Sequence, residues 1–239
     1  MIAEHSAAPA TTGTVAEPQR KGDWMQVASG RAFWPFDPRA DEICIEDIAH
    51  GLSMLCRFGG HVQRFYSVAE HSVWCSRIVP PEHALQALMH DATEAYCVDI
   101  PRPLKRGLSN YAEIEAGIWT AVCDRFDLVP DLDATVKVAD NAMCLAEARQ
   151  IMTRPEIDWS ATGEAAAVIV ECWSPEEGRR RFLERFAELI TARPSASHEA
   201  DCAVLFDDGP DECTCRADPV AWEPEVGSVA ALARAKAGV

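Results

Sequence analysis

Between residues 25 and 190, apolar side chains recur three and four positions apart, the spacing that gives an α-helix one buried face. The periodicity predicts helices over 45–58, 68–79, 82–96, 111–126, 132–152 and 175–191. Start signals agree: Ser174 precedes Pro175 and has Glu177 three residues on, a capping box with proline at the first helical position, and Pro80-Pro81 precedes another start. Extended stretches near 25–34 and 166–172 leave room for a minor β-hairpin. The expected fold class is all-α, a helical bundle without internal repeats.

The pattern fades at both ends. Residues 1–22 are rich in Ala, Thr, Glu and Pro, and residues 194–239 are acidic and broken by Pro and Gly, with DDGPDE at 207–212. Both read as poorly ordered tails flanking one folded domain at 23–193. Twenty-two basic against 38 acidic residues leave a net charge of −16, which argues against a broad surface for DNA or RNA, so no stable nucleic-acid complex is expected. Apolar runs such as 165–170 fall short of the ~20 residues that span a bilayer. With no basic, apolar leader at the start, the expectation is a cytoplasmic protein that does not enter membranes. Seven of the 10 cysteines stand singly in apolar stretches and read as reduced, buried small hydrophobes. His198, Cys202, Cys213 and Cys215 crowd the C-terminal tail in a spacing that is not a standard zinc motif.

Set at 100° per residue, the 82–96 segment puts Leu85, Leu88, Met89, Ala92 and Tyr96 on one stripe. Its other face carries Ala84, Ala87, His90, Asp91 and Glu94. Small residues beside strong metal-ligating and proton-transferring types suggest a helix buried all round, with ligands at the edge of a small cavity. His71 shares a stripe with Val68, Trp74, Cys75 and Ile78, and the face of Val136, Met143, Cys144 and Ile151 also carries Asp140 and Glu147. A carboxylate buried there costs several kcal/mol unless a cation or donors receive it.

Taken singly, His71 reads as a satisfied core histidine and Asp140 as a cap or ion-pair partner. Together, His71, His90, Asp91 and Asp140 form two imidazoles and two carboxylates on inward faces, a set suited to one divalent ion of Mn, Co, Fe, Ni or Zn, with Mg a further candidate. Adjacent His90 and Asp91 can share an ion; the other two must arrive from different helices.

The order of His71, then His90-Asp91 after 19 residues, then Asp140 after 49 more resembles the H…HD…D signature of the HD-domain metal-dependent phosphohydrolases. SVAEHS (67–72), HDATEAYCVDIPRPLK (90–105) and VKVADNAMCLAEAR (136–149) resemble segments of the bacterial HD 5'-deoxynucleotidases and their phage-encoded relatives, as does the stretch 31–61. The likeness covers roughly residues 25–190. It implies an HD-type helical bundle with a metal ion held by those four residues, and hydrolysis of a nucleotide phosphate ester. It assigns Glu94 to the family's catalytic carboxylate, Asp99 to a second acidic position at the site, and Arg64 to a phosphate-binding arginine. Lys105, with Arg102 and Arg106, adds a local basic cluster; Arg57 and His61 stand near enough in sequence to serve.

No histidine lies between Asp91 and Asp140, so the extra histidines of binuclear HD phosphodiesterases are missing and a mononuclear centre is implied. Glu94 is followed by Ala95 rather than a second acid, which counts against the guanosine tetraphosphate hydrolases of the superfamily. The leading expectation is a 5'-deoxynucleotidase that releases phosphate from dNMPs. One alternative is a dNTP phosphohydrolase, such as a phage dATP-type enzyme working in the host cytoplasm; another is a non-catalytic nucleotide- or metal-binding regulator. Trp34, Phe36, Phe65 and Tyr66 are the aromatic residues considered for stacking on a base. Analogy with relatives suggests a homodimer or higher homo-oligomer.

Overall fold

A computed structural model describes residues 19–157 and 163–193 of the chain. It is all-α with one minor β-hairpin, as the periodicity predicts. The expected tails fall outside the described residues except for 19–22, and so does the set of His198, Cys202, Cys213 and Cys215. Arg20, in the stretch read as tail, is tied down: its guanidinium pairs with Glu42 and Asp37 and lies 4.1 Å over the Trp34 ring.

The hairpin joins β1 (Met25–Gln26) to β2 (Ala32–Phe33), antiparallel, with Met25 opposite Phe33. The second extended stretch makes no strand. It runs as a strap along the helix that precedes it in the chain, held by Ala166 N–H to the Ala142 carbonyl at 2.9 Å and by a two-way exchange with the Gln150 amide.

Helix α1 (Ile45–Met54) stops short of the predicted end because Leu55 and Cys56 turn to extended backbone, and Phe58 and Gly59 beyond them adopt left-handed backbone that turns the chain. Helix α2 (Val68–Ile78) starts on the Ser67 hydroxyl, which accepts the Glu70 N–H at 3.1 Å. The segment predicted as one helix at 82–96 is divided into α3 (Ala84–Met89) and α4 (Glu94–Cys97). A short α5 (Arg102–Lys105) follows, then α6 (Tyr111–Phe126). Helix α7 (Ala134–Ile151) begins where Asp133 accepts the Thr135 N–H at 2.8 Å. The predicted capping box opens α8 (Pro175–Ala192), with Ser174 accepting the Glu177 N–H at 3.3 Å.

The main core is built from α1, α2, α3, α6 and α8, with Ile48, Leu52, Leu88, Met89, Ile118 and Phe182 fully buried, each contributing about 1.5–3 kcal/mol through apolar burial. Two close approaches set the position of the site. A Cβ on Gly51 of α1 would stand 2.9 Å from the Cβ of Ala95, so glycine lets α1 and α4 touch. Glu70, fully buried, accepts the N–H groups of Glu171, Cys172 and Trp173 at 2.7–3.1 Å and anchors the strap ahead of α8. Among the described residues no helix is long and apolar enough to cross a membrane.

Candidate metal centre

His71 sits in the first turns of α2 and is fully buried. Its Nδ1 lies 2.6 Å from Glu147 Oε1 on α7, which assigns the Nδ1 proton to that bond and turns Nε2 the other way. Nε2 faces Asp91 Oδ2 at 3.6 Å and Asp140 Oδ1 at 3.5 Å. Burial and Arg57 lower the pKa of His71, but Cys75, Glu147 and Asp140 outweigh them and hold it well above the usual histidine range. Two carboxylates thus face this nitrogen.

His90 and Asp91 occupy the break between α3 and α4. Here the backbone switches to i→i+3 bonds, with Ala92 N–H to the Met89 carbonyl at 2.8 Å and Glu94 N–H to the Asp91 carbonyl at 3.0 Å. His90 Nδ1 donates to the Ala87 carbonyl at 2.7 Å, taking an acceptor that a continuous helix would use. His90 Nε2 then points into the cluster, 3.3 Å from Asp91 Oδ2, buried and without a hydrogen-bond partner. The two imidazole rings are 5.3 Å apart.

Asp140, from α7, closes the group. Burial raises its pKa, yet His71, His90 and Lys137 hold it well below the ordinary carboxylate range. Its outer oxygen Oδ2 carries two exposed cations, Lys137 Nζ at 2.5 Å and Arg102 Nη2 at 3.3 Å.

The structure thus brings His71, His90, Asp91 and Asp140 together from three places in the chain. Two nitrogen or oxygen ligands, each about 2.0–2.2 Å from a common ion, stand about 3.0–3.6 Å apart, and the imidazole–carboxylate separations here span 3.3–3.6 Å. That spacing, with a buried imidazole nitrogen lacking any other partner, fits a divalent ion.

Around this set lies a second ring of charge. Glu94, the first residue of α4, has a buried Oε2 without a partner, and burial together with Asp91 and Asp99 raises its pKa well above the usual range. Asp99 follows Val98, whose φ of 61° is an unusual conformation for a β-branched residue, costing about 1–3 kcal/mol. Tyr111 steadies that turn by donating to the Val98 carbonyl at 2.8 Å. Asp99 is buried enough to have a raised pKa and feels Arg57, Asp91 and His71.

Three contributors had no role assigned from the sequence, although Glu147 was placed on the inward face with Asp140. Glu147, fully buried, receives His71, Tyr66 Oη at 2.9 Å and Arg57 Nε at 3.1 Å. Burial pushes its pKa up, but Arg57 and His71 bring it down to about 2. Arg57 also reaches Asp91 Oδ2 at 3.5 Å. Its proximity in sequence was noted, but the left-handed turn at Phe58 that puts it inside was not foreseen. Lys137 had no signal beyond its place one turn before Asp140.

The two expected phosphate ligands are not in the cluster. Arg64 is exposed, with no hydrogen bond or ion pair to these residues, and its charge is felt by the Cys172 thiol. Lys105 pairs with Glu115 on α6 at 2.6 Å. Tyr66 is fully buried with its hydroxyl on Glu147, so it forms no wall for a base, and Trp34 lies under Arg20.

Fold and cluster together define a helical protein with a buried imidazole–carboxylate centre. The chain is 40% identical over 176 residues to YfdR of Escherichia coli K12, covering 72% of this chain and 99% of YfdR. It is 35% identical over 145 residues to a protein of Rhodobacter capsulatus, covering 55% of this chain and 74% of that one. Both relatives are described as uncharacterized. The chain belongs to the YfdR family. No protein-family model matches it.

Proposed function

We propose that this protein is a metal-dependent phosphohydrolase of the HD type that acts on deoxynucleotides, with deoxynucleoside monophosphates as the leading substrates. The observation that carries the reading is the convergence of His71, His90, Asp91 and Asp140 at ligand–ligand spacing, with His90 Nε2 buried and unpartnered. The H…HD…D resemblance supports it.

His71, His90, Asp91 and Asp140 would hold the ion. When bound, such an ion lowers the pKa of a water and polarises a phosphoryl oxygen. Glu94 handles the proton: its raised pKa suits a group that takes a proton at Oε2 from the attacking water and returns it to the leaving oxygen. Burial raises the pKa of Glu94, and like-charge repulsion from Asp91 and Asp99 adds to it. Arg102 and Lys137, both on Asp140 Oδ2, are the cations placed to receive phosphate oxygens at the rim. Arg57 and Glu147 set the orientation of Asp91 and His71 from behind.

The test is a panel of deoxy- and ribonucleotides at the mono- and triphosphate level, assayed with Mn or Co for phosphate, pyrophosphate and triphosphate release. Phosphate from dNMPs is expected. Triphosphate release from dNTPs would reassign the substrate within the same chemistry. Nucleotide binding with no release under any metal would replace the enzyme by a regulator. Run alongside, Asp91→Ala should lose metal and activity together, whereas Glu94→Ala should keep metal and lose about 10²–10⁴-fold in kcat.

A further inference from the structure

Cys75 lies one helical turn beyond His71 on α2 and is fully buried. Its Sγ stands 3.4 Å from His71 Nε2, the nitrogen that faces Asp91 and Asp140, and 4.0 Å from Nδ1, so it lies beside the ring. His71, Cys75 and His90 each offer one atom within 4.8 Å of the other two. The unpartnered His90 Nε2, on a side chain only 6% exposed, belongs to the same group. The rest of the thiol's surroundings is apolar, with Val79, Ala87, Val136 and Met143 packed in its cluster.

Periodicity explains a small hydrophobe at this position, but it does not explain a sulfur grouped within 4.8 Å of ligating atoms on both His71 and His90. A nitrogen at about 2.1 Å and a thiolate sulfur at about 2.3 Å from one ion stand about 3.1–3.6 Å apart, and the observed 3.4 Å falls inside that interval.

We propose that Cys75 is a further ligand of the ion held by His71, His90, Asp91 and Asp140, making a mixed nitrogen, oxygen and sulfur centre. This rests on the metal reading of the site given above. Binding forms a metal–sulfur bond and releases the thiol proton to solvent. The sulfur biases the centre toward zinc, cobalt or ferrous iron and away from manganese and magnesium, which favour oxygen.

Cobalt(II) titration of chelator-treated full-length protein tests this, because its visible bands report any bound ion while a near-ultraviolet charge-transfer band reports sulfur on it. The wild type should show both. Cys75→Ala should keep the visible bands, lose most of the near-ultraviolet band and show a reduced preference for zinc over manganese in competition; Cys75→Ser, nearly the same volume, carries the comparison if the alanine variant does not fold. A near-ultraviolet band of undiminished strength in either Cys75 variant belongs to other thiols and overturns the proposal. Visible bands alone in the wild type overturn the sulfur ligand but leave the histidine–aspartate centre standing. No cobalt bound at all overturns both.

Discussion

His71 Nδ1 and Glu147 Oε1 lie 2.6 Å apart with both side chains fully buried, linking α2 to α7 across 76 residues of sequence. The bond does two things at once. It fixes the ring so that Nε2 faces the aspartates, and it supplies negative charge that makes the imidazole a better ligand. Glu147→Gln keeps a hydrogen-bond partner in place and should lower metal affinity about 10–100-fold with a small change in Tm. Glu147→Ala leaves the Arg57 guanidinium buried with half its partners and should cost about 3–5 kcal/mol by urea unfolding. Equal metal affinity in Glu147→Gln and wild type would show that the bond only packs the core.

The helices were largely legible because burial on one face is written in the residue spacing; α6 and α8 match it to within a residue at each end. The break at His90 was not legible. It is decided by one side chain, the His90 imidazole on the Ala87 carbonyl, and a local hydrogen bond leaves no periodic trace. The four-residue cluster was readable because three inward faces carried residues that cannot be buried alone. Glu147 was legible as an inward carboxylate beside Asp140, but its pairing with Arg57 at 3.1 Å joins distant stretches of chain and leaves no mark in a single sequence. Arg64 was carried by resemblance, and Lys105 by its place in a local basic cluster.

The rim cations give a prediction about substrate rather than metal. Arg102 and Lys137 are 60% and 59% exposed and share Asp140 Oδ2, so releasing them to a phosphate costs little packing. Arg102→Ala and Lys137→Ala should each raise KM about 10-fold or more, the loss of one charge-assisted hydrogen bond of about 1.5–3 kcal/mol, while Tm holds. Arg64→Ala and Lys105→Ala should change KM less. If Arg64→Ala proved the most damaging of the four, phosphate would enter from the opposite side of the cluster.

Acid sensitivity should appear at the start of α8. Glu177 accepts from Arg180 and Arg181, and those hydrogen bonds bring its pKa down to about 2, below the ordinary glutamate value. A depressed carboxylate stabilises the fold above its unfolded pKa, and that contribution is lost as pH falls through the folded value. Tm of the wild type should therefore fall between about pH 4.5 and 2 in part through this residue, and Glu177→Gln should flatten that limb by lowering Tm above about pH 5 while leaving it little changed near pH 2. The difference should shrink in high salt, since the group is accessible to solvent.

Gly51 links packing to catalysis. An added methyl there would meet the Ala95 Cβ at 2.9 Å and its Cα at 3.0 Å, and backbone cannot swing aside as a flexible side chain can. Gly51→Ala must push α4 away from α1, and Glu94 stands at the first position of α4. The expected loss is about 1–3 kcal/mol of stability, with kcat reduced more than metal affinity because His71 and Asp140 ride on other helices. Gly117 on α6 is the control. Its added Cβ would come no closer than 3.8 Å to Pro38, so Gly117→Ala should be stabilising by about 0.5–1 kcal/mol through helix propensity and leave turnover unchanged. Comparing the two variants by thermal unfolding, cobalt titration and turnover separates displacement of α4 from a general loss of stability: if Gly51→Ala kept full kcat, the seating of α4 against α1 would not govern Glu94.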